Sequence, residues 1–530
     1  MSAVAEAASV LYEGPPLAAP IPPIGLPQLL RERARRHPDA VALVEASSGR
    51  ALRYGEFDQG IGRIAAGLAA LGFRPGDVLL MSVPNSPEWP LMALGAMAAG
   101  GAVTGANPQY VAADLAHQLA DSGARFACTT PAGVGTVREA AARNGAEVMT
   151  IVLGDAPAGT VGVDQLLRCT DPQPSTALDL DALAALPYSS GTTGAAKGVR
   201  LTHRTLVANV LQVDQMLPLP PGTVVLAFLP MFHIYGFAAI TLCSLVGGAK
   251  VVTLPRFEPE AFLSAIETWR VNRVGVVPPV AQFLANHPMV EGRDLSSLER
   301  VGSGAAPLGA EVEDRVAARL GRPVTQGYGM TESSGVWATT PVGQGRRGSS
   351  GLLLPGTQAR VIDIERGIDA PRGGSGELWL RGPQAFTGYH RQPEATAAAI
   401  TPEGWVRTGD IGHFDADGYL FITDRLKELI KVKGFQVAPA ELEALLFTHP
   451  DVADAAVIGR ADERAGELPV AYVVARTKTL DTAALIDWVA ERVVAYKRIA
   501  DVVLCDAIPK TAAGKILRRE LRQRDARRSA

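Results

Sequence analysis

The chain has 530 residues, more than one hydrophobic core ordinarily serves, so two or more domains are expected. Hydrophobic residues make up 47% and charged residues 20%, as in a globular protein, and a formal net charge of −3 gives no bulk electrostatic case for nucleic acid or an anionic membrane. Cys128, Cys169, Cys243 and Cys505 are scattered, with no CxxC pair and no histidine at ligand spacing, which argues against a disulfide framework or structural zinc and for a reducing, cytoplasmic location.

Along the chain, Met1–Pro20 is rich in Ala and Pro, carries Glu6 and Glu13, has no basic start and does not read as a signal peptide. Apolar stretches such as Leu91–Val103 are too short to span a bilayer. Short Val/Ile-rich runs at Asp77–Val83, Thr150–Leu153, Val224–Phe228, Val251–Leu254 and Arg273–Val277 alternate with amphipathic stretches at Tyr54–Leu71, Ala112–Ser122 and Pro259–Trp269. Strands alternating with helices imply parallel sheets and an α/β fold. From Val342 to about residue 424, glycines and prolines become dense, and alternating runs at Gln358–Ile364 and Ser375–Arg381 predict a smaller β-rich subdomain. The charged segment Arg425–Lys433 then leads into a compact α/β unit, with a helix at Pro439–Phe447, strands at Ala455–Ile458 and Val470–Val474, and a helix at Thr482–Val494. This gives a large domain over 1–424 and a small one over 425–530, joined near 425–428. The arginine-rich tail from Arg518 to Arg528 reads as a solvated helix face, because Glu520 and Asp525 interrupt it.

Between these elements lies Tyr188-Ser-Ser-Gly-Thr-Thr-Gly-Ala-Ala-Lys-Gly198. Gly191 and Gly194 permit tight turns that aim backbone amides at one point. Ser189, Ser190, Thr192 and Thr193 add hydroxyls, and Lys197 adds a mobile positive charge. Such a string suits a polyphosphate. It differs from G-x-x-x-x-G-K-[ST], because Gly198 stands where that pattern has its metal-binding hydroxyl.

Together with the motifs that follow it, this string resembles the signature of the adenylate-forming superfamily: acyl-CoA synthetases, luciferases and carrier-protein adenylation domains. Those motifs are Pro230–Gly236, Gly302–Gly309, Gln326-Gly-Tyr-Gly-Met-Thr-Glu332, Trp405–Asp410, Asp424–Val437 and Pro509–Ile516, in the family's order over nearly the whole chain. Within the superfamily the sequence is most similar to bacterial relatives of 4-coumarate–CoA ligases. The resemblance implies that a carboxylic acid attacks the α-phosphate of ATP, giving an acyl-adenylate and pyrophosphate, after which coenzyme A displaces AMP. It implies a small C-terminal domain that is mobile about Lys427.

By the same resemblance, Ser189–Gly194 and Lys197 hold the phosphates, while Gln326, Gly327 and Tyr328 frame the adenine. Thr331 contacts the α-phosphate, Glu332 holds Mg²⁺, and Asp410 accepts the ribose hydroxyls with Arg425 in support. Lys515 bridges the acid carboxylate and the α-phosphate. His233, Tyr235, Gly302, Ala305, Gly327, Gly329, Val336 and Trp337 line the acid site. Arg256, Lys431, Lys433 and Gly434 meet coenzyme A. The acid site departs from the plant enzymes: Gly302 stands in place of a lysine, Ala238 replaces an asparagine, and Trp337 replaces a smaller residue. Losing two polar partners argues against a hydroxycinnamate bound through its phenol, and the walls (Phe237, Val276, Val280, Ala305, Val336 and Trp337) read as apolar, suited to an aryl or cinnamate-like acid with an apolar ring. Medium-chain fatty acids stay open as substrates. A carrier-protein thiol is the alternative acceptor to coenzyme A, and a luciferase-like oxygenase or an inactive relative is a further class.

Overall fold

The alternation of short apolar runs with amphipathic stretches is realised as two largely parallel sheets. The computed structural model describes residues 10–174, 178–189, 196–433, 435–477, 480–511 and 514–529. One array of seven strands centres on Val78–Ser82, with Ala102–Gly105 and Phe126–Thr129 parallel beside it. The other has nine strands. Its middle runs Val324–Tyr328, Arg300–Ser303, Arg273–Val276, Val224–Ala227 and Lys250–Thr253, all parallel. Val78–Ser82, Val224–Ala227 and Lys250–Thr253 are mostly apolar and buried, as strands covered on both faces are. The covering helices start and stop on local chemistry. Pro259 opens Pro259–Trp269 while the Glu258 side chain caps the amide of Ala261 at 2.9 Å, and Gly123, at φ 66°, closes Ala112–Ser122.

The β-rich segment forms a five-stranded antiparallel sheet of Gln358–Ile362, Gly376–Arg381, Val406–Phe414 and Leu420–Arg425, with Tyr12–Glu13 on its edge. The N-terminal strand reaches this sheet across more than three hundred residues, a pairing with no local sequence signal. From Ile430 onward the chain buries its own apolar set (Ile430, Val437, Leu442, Leu446, Val457, Val473 and Leu485 among them), separate from the large cluster that runs from Tyr12 to Leu420. The helix expected over Thr482–Val494 ends at Ala490. Val494 is extended, at ψ 156°, and opens a 3₁₀ turn instead.

The arginine-rich tail forms the helix Arg518–Ser529 and presents Arg519, Arg524, Arg527 and Arg528 to solvent, as expected, while Arg518, Arg522 and Asp525 turn inward and clasp the small unit. Arg518, only 12% exposed, pairs with buried Glu443 at 2.6 Å; Arg522 pairs with Glu428, and Arg460 meets Asp525 at 2.7 Å. A buried pair is costly to break from one side, because the orphaned charge keeps its desolvation penalty. Arg518→Ala is therefore expected to weaken the small unit by about 3 kcal/mol, whereas Arg518→Met with Glu443→Leu recovers most of the loss. Urea denaturation, with amide exchange across 452–475 as the local readout, measures both.

Candidate active site

Parallel strands place the groups that follow them at one edge, and ligands of open α/β sheets bind beyond the carboxyl ends of the strands. Here the ends of Arg273–Val276, Arg300–Ser303 and Val324–Tyr328 open onto a cavity lined by His233, Tyr235, Gly302, Ala305, Gly329 and Val336. A second cleft is lined by Asp410, Arg425, Gly514 and Lys515. The two share Ala305, Gln326, Gly327, Tyr328 and Gly329, so they meet at one backbone junction. That junction is tight. A Cβ on Gly329 would lie 1.9 Å from the Gly335 carbonyl oxygen, and Ala305 is held at φ 70°, a conformation that costs energy in a non-glycine residue.

Asp410 and Arg425 face each other across the Val406–Phe414 and Leu420–Arg425 hairpin, with Nε to Oδ1 at 3.1 Å. The Tyr328 hydroxyl donates to Oδ2 of Asp410 at 2.6 Å. A carboxylate offers about four lone-pair directions, so two acceptor positions remain for a ligand diol. Lys515 enters from the small unit on a turn closed by Gly514, at φ 78°. Its amide donates to Thr511 Oγ1 at 3.1 Å, and Thr511 thereby supplies a hydroxyl to the turn. Burial and the nearby Arg425 guanidinium push the Lys515 ammonium down to about 8, against the opposing pull of Asp410, Glu428 and Glu332. His233 is pushed down to about 4 by burial and by Lys515, so it is neutral at pH 7. Its Nδ1 accepts the Tyr235 amide at 3.3 Å, which leaves the ring proton on Nε2.

On the phosphate side, Glu332 is buried and its carboxyl is raised by burial. The Tyr389 hydroxyl donates to Glu332 Oε1 at 2.8 Å, Ser189 Oγ approaches the same oxygen at 3.5 Å, and Lys197 Nζ lies 5.0 Å from the centre of the Tyr389 ring. Thr331 and Glu332 occupy one 3₁₀ turn after Tyr328. Among the described residues no group of three or more His, Cys, Asp and Glu could hold a metal ion. One carboxylate still fits Mg²⁺, which keeps several waters and takes its other ligands from substrate phosphates.

The structure departs from the sequence reading at the wall of the acid site and at Gln326. Trp337 is fully buried and does not line the cavity, because alternation on an extended segment turns Val336 inward and Trp337 into the core. Phe237, Val276 and Val280 are likewise buried and do not line the cavity. Gln326 is also committed elsewhere. Its amide donates to Leu308 O and Glu313 Oε2 and accepts from the Leu308 amide, so its side chain fixes the loop beside the junction, leaving backbone to face a nucleotide. Arg256, Lys431 and Lys433 are exposed and line neither cavity, and Lys427 is exposed between Arg425 and buried Glu428. Ser190–Gly194 and Gly434 lie outside the described residues. Three residues went unnoticed in the sequence. Tyr389 holds Glu332 from a distant loop, Glu428 ties the junction to Arg522, and Arg300 reaches the acid cavity; only Arg300, two places before Gly302 on one strand, carried a readable signal.

A model described as AMP-binding enzyme matches residues 30–390, and one described as AMP-binding enzyme C-terminal domain matches 441–515. The chain belongs to the AMP-binding enzyme family. Among its relatives, 4-coumarate–CoA ligase 2 of Oryza sativa subsp. japonica is 41% identical over 552 residues, covering 98% of this chain and 97% of the relative. 4-coumarate–CoA ligase 1 of Petroselinum crispum is 41% identical, covering 92% of each. Among solved structures, ATP-bound MatB from Rhodopseudomonas palustris superposes with a TM-score of 0.86 at 29% identity, covering 94% of this chain and 99% of that one. The anthranilate CoA ligase AuaEII in complex with anthranoyl-AMP gives 0.87 at 25% identity, covering 94% and 97%.

The electrostatics of Lys515 in this family member have a measurable consequence. Where a reaction depends on the charged form of a lysine lowered to about 8, activity falls as pH rises through that value. The profile of kcat/KM for ATP is expected to fall above about pH 8, and the fall should vanish in Lys515→Arg, whose guanidinium stays charged. A limb that persists in Lys515→Arg would assign it to another group.

Proposed function

We propose that this chain is an ATP-dependent acid–CoA ligase acting on an aryl or cinnamate-like acid. The carboxylate attacks the α-phosphorus of ATP, the bond to the bridging oxygen breaks, and pyrophosphate leaves; the thiol of coenzyme A then displaces AMP from the acyl-adenylate. The observation that carries this reading is the position of Lys515 in the nucleotide cleft, where that cleft meets the acyl cavity. A carboxylate nucleophile and a phosphate repel each other, and one ammonium at the junction neutralises both. Asp410 orients the ribose, Arg425 holds Asp410, and Ser189 and Lys197 take the phosphates. Mg²⁺ on Glu332 supplies charge neutralisation of the polyphosphate. His233, neutral with its proton on Nε2, donates toward the acid rather than repelling a cation. The names of the plant relatives support the aryl or cinnamate-like class, and Leu217, Ile240 and Val336 supply apolar walls for a ring.

The thioester step takes the exposed Lys431 and Lys433, with Gly434 after them in sequence, as the coenzyme A contact, and Arg256 at the nucleotide end. It requires the small unit to turn about Lys427, within a junction at 425–428. Coenzyme A is favoured over a carrier-protein thiol because its diphosphate and 3′-phosphate give Lys431 and Lys433 more negative charge to meet, and because the plant relatives are named as CoA ligases. Among the described residues no helix is long and apolar enough to cross a membrane. The four free cysteines support a cytoplasmic placement.

Two measurements test this reading. Pyrophosphate release is expected to depend on an aryl or cinnamyl acid, and AMP release to depend further on coenzyme A; release that never depends on an acid ends the ligase reading. Lys515→Ala is expected to lower adenylate formation by at least about a hundredfold, the scale of losing a preorganised charge partner. It should largely spare thioester formation from supplied acyl-adenylate. Equal loss of both half-reactions would contradict the division of labour.

A further inference from the structure

The acyl cavity does not end on apolar walls. Arg273 and Arg300 are register partners on adjacent parallel strands, and both line the cavity. Two residues further along, Gly275 and Gly302 are partners on the same face. A Cβ on Gly302 would meet nothing within 4 Å, so open space lies over that glycine, and the arginine pair stands about 7 Å back along the strands, two residues at the usual rise. Between Arg300 and Gly304 the strand covers about 13 Å, enough for an extended aryl acid whose carboxyl lies at the nucleotide junction.

Arg300 is held in place but not neutralised. Its Nε donates to Thr325 Oγ1 at 3.0 Å and its Nη2 to the Thr340 carbonyl at 2.6 Å. Among the described residues Nη1 has no hydrogen-bond partner, and no carboxylate lies within ion-pair distance of Arg300 or Arg273. Asp214, which also lines the cavity, pairs with Arg33 at 3.5 Å. Tyr235 and Arg273 are the other titratable groups that act on Arg300, and burial of the guanidinium pushes it down to about 10. A half-buried cation that turns a free donor into the cavity and has no anion beside it gains by meeting an acceptor.

We propose that Arg300 is a specificity-determining residue that takes a hydrogen-bond-accepting group on the acid, at the end remote from the reacting carboxyl. This rests on the ligase reading and narrows its substrate class. Gly302 clears the path, and the polar contact comes from two residues earlier on the same face.

The test compares 4-methylcinnamate with 4-hydroxycinnamate and 4-carboxycinnamate, by kcat/KM for acid-dependent pyrophosphate release, in wild type, Arg300→Met and Arg300→Lys. Wild type is expected to prefer at least one acceptor-bearing acid over the methyl acid by at least about tenfold, because a site built to bond a polar group rejects the analogue that lacks it. That ratio should fall to near one in Arg300→Met and be partly kept in Arg300→Lys. The two acceptor arms separate a neutral hydroxyl from an anion as the preferred partner. If Arg300 only braces Thr325 and Thr340, Arg300→Met slows all three acids by one factor and the ratio stands, which overturns the assignment. A wild-type preference for the methyl acid overturns it too. If no acid elicits pyrophosphate release from wild type, the ligase reading falls and takes this assignment with it; acid-dependent release with an unchanged ratio sinks the assignment alone.

Discussion

The site turns on holding two cations, Lys515 and Arg425, close together in a buried cleft. Their mutual repulsion is part of what depresses Lys515, and three carboxylates offset it: Asp410, Glu428 and Glu332. Each of these anions has its own holder. Tyr328 donates to Asp410, Tyr389 donates to Glu332, and Arg522 pairs with Glu428. Asp410 and Glu428 each also meet a guanidinium, from Arg425 and Arg522, whereas Glu332 is held by neutral hydroxyls alone. A neutral donor orients an anion without cancelling it. Full pairing of every group would leave a polyphosphate nothing to bind.

The same constraint links the site to the placement of the small unit. Asp410 and Arg425 are register partners, and only Leu426 and Lys427 separate Arg425 from Glu428, which the C-terminal helix clasps through Arg522. Asp424 accepts the Ala440 amide at 2.8 Å, joining the last strand of the antiparallel sheet to the first helix of the small unit. Under the proposed turn about Lys427, these contacts and the approach of Lys515 change together. Each half-reaction then meets a different set of charges with no change in the large unit.

What the sequence disclosed and what it hid divide by range. Ala112–Ser122 and Pro259–Trp269 form helices at their expected bounds, because proline, glycine and capping carboxylates act within a few residues. The ordered motifs placed Asp410, Arg425 and Lys515 on one cleft, because each is embedded in a local pattern. Tyr389 had no such pattern: it lies 57 residues after Glu332, and only the tertiary fold brings its hydroxyl there. Facing was the other gap. Trp337 and Gln326 were read as site residues, yet one step of alternation sends the indole into the core, and the amide and carbonyl of Leu308 engage the Gln326 side chain. The π-helical turn at Tyr235–Leu242 was equally silent. It turns Tyr235, Ala239 and Ile240 toward the cavity, while Thr241 Oγ1 donates to the Gly236 carbonyl at 2.8 Å within the widened turn.

That division explains why the chemistry was more legible than the substrate. The nucleotide half uses backbone junctions and paired charges whose geometry admits few alternatives, as the 1.9 Å approach at Gly329 illustrates. The acid half is a wall in which a side chain is gained or lost at little cost, since a Cβ on Gly302 has open space. Specificity there is set by which position on the strand carries the reaching group. Reading position 302 alone gives an apolar pocket. Reading the face, with Arg300 two places back and Arg273 beside it, gives an apolar corridor with a cationic end. Strand periodicity, more than residue identity at any one position, is what connects this sequence to the acid it selects.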